Sequence, residues 1–356
     1  MTYFQNCLSI EALVSSLNLK PQMLKWTEAN CLLQAVINLI RFLFIIIILY
    51  MDSLLKPINP KKASFGRHET FALRYSWLTK GFQAFEKNKS IFSSDEATIE
   101  LGVGKNMVNA IKYWLRASSM LLDTDEGLET SDLGKAIFTD KGGDPYLEDE
   151  ATLWLIHWQL ATNAELATAW YWFFNCYHKA EFTSEDAAES LAEFVRNNLT
   201  GKHSERTVKH EVSMILRMYC PSKSNAKSIE ESLDSPLASL NLVAAIEDQH
   251  VYRSYGNLQP SLPIELIGYA ANEIFNQRQT ETLPIADLMY GQKKGIALGS
   301  VFRLTESALL AKLEDLVKAY PDIFQINETA GVNQLYRQES TTESLTFLMS
   351  YYQPTR

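Results

Sequence analysis

Cysteine is scarce, and the four present, Cys7, Cys31, Cys176 and Cys220, are scattered with no CxxC pair. That spacing offers no structural zinc site and fits a reducing cytoplasm. Positive charge is also in short supply, since the net charge is −9. No global field draws such a chain onto nucleic acid, so DNA contact must come from local patches. The P-loop, GxGxxG, GxSxG, HExxH and deaminase signatures are absent too, and no nuclease carboxylate–lysine constellation is recognisable. What is present, 356 residues of which 46% are hydrophobic and 21% charged, gives ordinary globular composition with room for two or three domains.

The first fifty residues stand apart. Cys31–Met51 is almost wholly apolar, with Arg41 as its one charge, and is long enough to span a bilayer. No small-residue cleavage site follows it, so a signal peptide fits poorly. Two readings stay open for residues 1–50: a hydrophobic anchor, or an upstream extension translated from a misassigned start. In the second, Met51 begins the protein.

Arg67–Phe138 reads as a winged helix-turn-helix, within an expected domain of residues 51–140. Its centre is a helix over Lys105–Ser118, where Met107, Val108, Ile111, Trp114 and Leu115 form one apolar stripe. Lys105, Asn109, Lys112 and Arg116 share the opposite face, with Asn106 beside them, and that mixture of cations and amides suits phosphates and base edges. A capping box over Ser93–Glu96 is expected to open the preceding helix, which ends near Leu101 with Gly102 as its C′ residue. Phe71, Tyr75, Leu78, Phe82 and Phe85 mark a first helix. Leu121–Glu129, with Asp125, Glu126 and Gly127 at its tip, marks a two-stranded wing.

Ahead of the first helix stands Gly66-Arg67-His68-Glu69-Thr70-Phe71. Thr70 can cap the helix, and the charges can simply pair. Alternatively, His68 and Glu69 are catalytic, with Arg67 and Arg74 as phosphate binders. Asp144, Glu148, Asp149 and Glu150 form an acidic group that suits a helix start or a metal ion.

Residues 141–222 read as a helical domain. The aromatic-rich Glu148–Tyr177 should form two core helices broken near Asn163; His157 and His178 have no metal-ligand partners at trustworthy spacing. Thr183–Leu199 and Ser204–Tyr219 follow as a helical pair. Arg206, Lys209, His210 and Arg217 make the second of these basic, as a solvated surface or an accessory phosphate face. Residues 223–236 read as a linker within Pro221–Pro236.

Residues 237–340 are expected to form a second winged-helix-like α+β domain. Its helices run over Pro263–Gln277, Pro284–Tyr290 and Thr305–Ala319, with a strand at Ser300–Leu304 and a hairpin of Ile323–Asn327 with Asn333–Arg337. Lys293, Lys294 and Arg303 are candidate phosphate contacts. Residues 341–356 form a tail expected to fray. The fold class is therefore mainly α with small β wings, the central helical bundle lying between two winged-helix-like parts.

Several motifs together resemble one family: Gly66–Phe71 followed by Leu73-Arg74-Tyr75 and Trp77, Leu101–Val108, Ile111–Trp114, Ala151–Trp154, His157–Leu160 and Leu233–Leu237. The chain after Met51 is similar to the SspB-like bacterial proteins, a domain-of-unknown-function family that accompanies DNA phosphorothioation clusters. The resemblance implies a modification or antiviral defence role in which one DNA strand is nicked so that sulfur can enter the backbone. It implies double-stranded DNA as substrate, and as partners a cysteine desulfurase, an ATPase and a sulfur-transfer protein; homo-oligomerisation stays open. Metal-assisted nicking calls for carboxylates around Mg²⁺, for which Glu69 is the first choice and Asp144–Glu150 the second. The alternative is a non-catalytic DNA-binding adaptor.

Overall fold

Gly81 allows the first helix to lie directly on the third: a Cβ there would come within 2.4 Å of Ile111 and 2.8 Å of Leu115. Helix α1 (Tyr75–Lys87) buries Trp77, Leu78, Phe82 and Phe85 in that contact. A 3-10 turn (Ile91–Ser93) leads to α2 (Ala97–Leu101), which stops at Gly102 with φ 65°, a left-handed conformation that glycine adopts without cost. Helix α3 (Lys105–Ala117) follows. The Ser93–Glu96 capping box does not form. Ser93 closes the 3-10 turn, and Ser94 Oγ instead accepts the Glu96 amide at 3.1 Å. Strands β1 (Leu121–Thr124) and β2 (Gly127–Thr130) pair antiparallel, and α4 (Asp132–Phe138) is capped by Ser131.

The computed structural model describes Leu55 and residues 58–201, 203–220, 235–246, 250–291, 295–329 and 331–353. Cys31–Met51, most of the linker, and Lys293 and Lys294 lie outside these. Among the described residues no helix is long and apolar enough to cross a membrane.

Helices α5 (Glu150–Thr162) and α6 (Thr168–Asn175) carry the centre. Every residue of Ala151–Thr162 and of α6 is buried, so neither helix has a solvent face. The aromatic residues of Glu148–Tyr177 are therefore core, as apolar helices surrounded on all sides must be. Asn163 serves the break between them. Its amide donates to the Ala117 carbonyl at 3.1 Å, and its oxygen accepts the Leu166 amide at 3.2 Å.

Strand β3 (Glu181–Thr183) leads into α7 (Ser184–Asn198), which begins with a reciprocal capping box between Thr183 and Asp186. Against α7 packs α8 (Glu205–Tyr219). Strands β4 (Ala244–Ile246) and β5 (Val251–Arg253) complete a three-stranded sheet in the order β3-β5-β4. Nothing in the periodicity of these three-residue strands announced them.

Helix α9 (Ile264–Arg278), β6 (Thr282–Pro284), α10 (Ile285–Tyr290), α11 (Leu298–Val301), α12 (Glu306–Ala319), β7 (Phe324–Thr329) and β8 (Val332–Arg337) follow, with a second sheet ordered β6-β8-β7. The strand expected at Ser300–Leu304 is helical instead. Val301 and Phe302 donate to Ala297 and Leu298 at 2.9 Å each, and only Leu304 makes a bridge, to Asn257. A short apolar run suits a buried helix turn as well as a strand, and packing chose the turn.

The expected tail is a helix, α13 (Ser344–Tyr352), packed on α9. Its end reaches the start of α5. Tyr352 Oη lies 2.7 Å from Thr152 Oγ1, and a Cβ on Gly143 would strike the Tyr352 ring at 2.2 Å. Ser53–Arg356 forms one compact unit, mainly helical with small antiparallel sheets.

Candidate nucleic-acid interface

Burial on two sides leaves α3 a narrow open strip. Val108, Ile111 and Leu115 face α1, while Trp114 meets Trp170 edge-on at 5.4 Å and Tyr113 Oη donates to the Leu166 carbonyl at 3.0 Å. What stays in solvent is Lys105, Asn106 and Asn109, with Lys112 and Arg116 half-buried beside them. Arg116 is already spoken for. Its guanidinium meets both carboxylate oxygens of Asp123 on β1, with Nε 3.1 Å from each. A paired arginine has less to offer a phosphate, so the cationic part of the strip rests on Lys105 and Lys112. Asp123 was missed because the pairing is set by how the hairpin folds back on α3.

The Gly66–Thr70 segment is held in an unusual shape. Gly66, Glu69 and Thr70 have φ of 71°, 52° and 64°. Left-handed backbone at two non-glycine residues persists only where surroundings impose it, and such sites cluster at functional loops. Here the imposing group is Glu211 of α8, only 1% exposed. Its carboxylate accepts the Gly66 amide and lies 3.4 Å from His68 Nε2, too poorly aligned for a hydrogen bond.

His68 is turned inward. It is 1% exposed, stacked on Trp114 at 6.0 Å and flanked by Tyr113 and Trp170. Its Nδ1 accepts the Thr70 amide at 3.2 Å, which puts the proton of the neutral ring on Nε2. In this position the ring braces the loop and touches no solvent. Thr70 does not cap α1, whose N-cap is Arg74 without a side-chain cap bond; the Arg74 guanidinium lies over the Trp77 ring at 5.2 Å.

Arg67 and Glu69, by contrast, are exposed and line a cleft of about 350 Å³ with Phe65, His203, Ser204 and Thr207. The structure thus splits the four candidates: two displayed, one buried beneath them, one stacked on an aromatic ring. Glu211 was legible in principle. It interrupts the apolar stripe Val208, Val212, Ile215 on the inner face of a helix, where an unpaired acid would be costly. Removing its carboxylate with Glu211→Ala is expected to loosen the loop and speed tryptic cleavage after Arg67 several-fold. An unchanged cleavage rate would show that the loop holds its shape unaided.

The acidic group is occupied structurally. Asp144 accepts the amides of Glu148 and Asp149 at 2.8 and 3.0 Å. Asp149 caps α5 and accepts the Tyr351 hydroxyl, and Glu150 accepts the Ser261 hydroxyl at 2.6 Å. Arg303, a phosphate candidate from the sequence, is buried. It donates to the carbonyls of Phe173 (2.8 Å), Ser300 (3.1 Å) and Tyr177 (3.3 Å) and to Ser254 Oγ (2.9 Å). Burial pulls its pKa down to about 10. His157 is likewise internal, and burial holds its pKa down at about 3. Partial burial and the nearby Arg303 charge also lower His178.

Two solved structures resemble the chain, each with a TM-score of 0.73 and 28% identity over 82% of this chain and 89% of the other: an SspB crystal structure and a magnesium ion-bound SspB crystal structure. Among the described residues there is no protein cage for magnesium. Glu69 is the one carboxylate lining its cleft, and among the described residues no group of three or more His, Cys, Asp or Glu side chains could hold a metal ion. No curated protein matches the chain. The model of one family matches residues 65–352, and the chain belongs to that family, described as a protein of unknown function, DUF4007.

Proposed function

We propose that this protein is the DNA-binding component of a bacterial DNA phosphorothioation system and nicks one strand of double-stranded DNA so that sulfur can enter the backbone. The α1–α2–α3 segment with the β1–β2 hairpin acts as a winged helix. Lys105 and Lys112 neutralise backbone phosphates, and Asn106 and Asn109 donate to phosphate oxygens or base edges. Arg67 and Glu69, displayed on the braced loop, stand nearest the strand to be cut. Sulfur-transfer and ATPase proteins act on the opened strand. The observation that carries this reading is the open Lys105–Asn109 strip on a fold sharing 28% identity with SspB.

A second reading is favoured by the burial of His68 and the lone carboxylate of the cleft. In it the protein is an adaptor that binds DNA and positions its partners without cutting. One assay separates the two. The chain from Met51, incubated with supercoiled plasmid with and without Mg²⁺, should give open-circular product that Glu69→Ala reduces by about a hundredfold or more, the size expected for one group acting on the reacting phosphate. DNA binding without open-circular product supports the adaptor. Lys105→Ala with Lys112→Ala should flatten the salt dependence of binding by about two phosphate contacts, while Arg116→Ala, whose charge Asp123 already neutralises, should do less. Plasmid affinity and salt slope unchanged in the double variant would remove α3 from the interface.

A further inference from the structure

Helix α8 shows a second cationic surface, independent of α3. Its solvent-facing residues include Arg206, Lys209, His210, Ser213 and Arg217, at spacings of three, four, seven and eleven from the first, so they run along one side. Among the described residues no carboxylate forms an ion pair with any of these basic side chains. Several other surface cations are paired. On α12, Lys318 is paired with Asp315 at 3.0 Å, and elsewhere on the surface Lys89 pairs with Glu129 and Arg253 with Glu181.

The neighbouring helix α7 exposes Glu185, Glu189 and Glu193 at four-residue spacing, with Arg196 beyond them. The seam between the two helices is mixed in charge, Glu189, Glu193, Arg196, Glu205 and Lys209 lining one pocket, so the unmixed cations of α8 are Arg206, His210 and Arg217. An open trough of about 440 Å³ is lined by Glu205, Arg206, Lys209, His210 and Ser213. At its N-terminal end, α8 runs into the cleft of the braced loop. Thr207 follows Arg206 and lines that cleft with Arg67 and Glu69.

We propose that the exposed side of α8 is a second phosphate-tracking surface, which holds the backbone of a DNA strand and leads it to the Arg67–Glu69 loop. This rests on the nucleic-acid reading above and adds a contact that α3 does not supply. Arg206 to Arg217 spans roughly 16 Å at the helical rise. That covers about five phosphates of one strand at ~3.4 Å each along the axis. Arginine and lysine at these intervals neutralise phosphates without reading bases, so the contact is indifferent to sequence.

The test is binding of the full chain to a fluorescein-labelled 30-base-pair duplex across a salt series. Arg206→Ala/Lys209→Ala/Arg217→Ala is compared with Lys105→Ala/Lys112→Ala. The α8 triple variant is expected to lose at least about tenfold in affinity at low salt and to flatten the log–log salt slope by about two to three. Arg206→Lys/Arg217→Lys keeps the point charges and should bind within about threefold of the parent. An unchanged melting temperature in each variant confirms that folding is not the cause. An unchanged slope in the triple variant overturns the proposal, and if the α3 variant alone weakens binding, the reading of α3 stands without it. A weakened triple variant beside an unaffected α3 variant supports the α8 track and overturns the α3 assignment instead.

Discussion

Arg303→Met is expected to destabilise the protein by about 3–5 kcal/mol, the cost of leaving several buried carbonyls without their charged donor. The reason lies in what the guanidinium touches. Phe173, Phe174 and Tyr177 present carbonyls at and just beyond the end of α6, where a helix leaves its acceptors unsatisfied and carries partial negative charge. The Arg303 fork reaches several of them at once, with its carbon 5.3 Å above the Phe174 ring. Methionine fills much of the volume and satisfies none of the oxygens, each of which then costs about 1–3 kcal/mol if left unmet. Thermal unfolding should shift down by roughly 5–10 °C. Arg303→Lys should recover only part, because an ammonium cannot span the same acceptors. A methionine variant within 1 °C of the parent would show that water reaches the end of α6.

His157 should make stability depend on pH, and in a defined direction. The ring is held between Tyr219 Oη at 2.8 Å from Nδ1 and the Val301 carbonyl at 2.9 Å from Nε2. A carbonyl can only accept, so Nε2 carries the proton and Nδ1 receives the tyrosine hydroxyl, which satisfies the neutral ring completely. Burial is the main cause that keeps its pKa near 3, against 6.5 for an ordinary histidine. Between those values the unfolded chain binds a proton that the folded one refuses, so stability is full above about 6.5 and falls as the pH drops toward 3. The slope is about 1.4 kcal/mol per pH unit, giving a loss of about 2 kcal/mol at pH 5. His157→Phe, which leaves two buried oxygens unmet, should be the less stable form at pH 7.5, by about 2–3 kcal/mol. The gap should close on acidification, since phenylalanine cannot titrate. Parallel curves for the two proteins from pH 7.5 to 5, followed by urea unfolding, would rule out His157 as the titrating group.

Much of the local structure could be read from the residues. Helix α3 runs Lys105–Ala117 against an expected Lys105–Ser118, and α9 and α12 begin and end within about a residue of their expected bounds. Gly102 stops α2, and the β1–β2 hairpin turns at Asp125-Glu126. These features follow from apolar periodicity, caps and turn residues, which act over a few positions. The site was only half legible. Gly66–Phe71 is recognisable as a motif, but which of Arg67, His68 and Glu69 faces water depends on Glu211, some 140 positions later in the chain.

The order of residues therefore settled where helices start and stop, which segments are core and which family the chain resembles, because each of these depends on near neighbours or on pattern. Folding in three dimensions decided the fate of individual charges. Arg303, Arg116 and Arg67 are one residue type with three roles: a buried clamp on α6, a partner of Asp123 and an open cation on the braced loop. The physical reason is that a charge is worth what surrounds it, and those surroundings are assembled from remote parts of the chain.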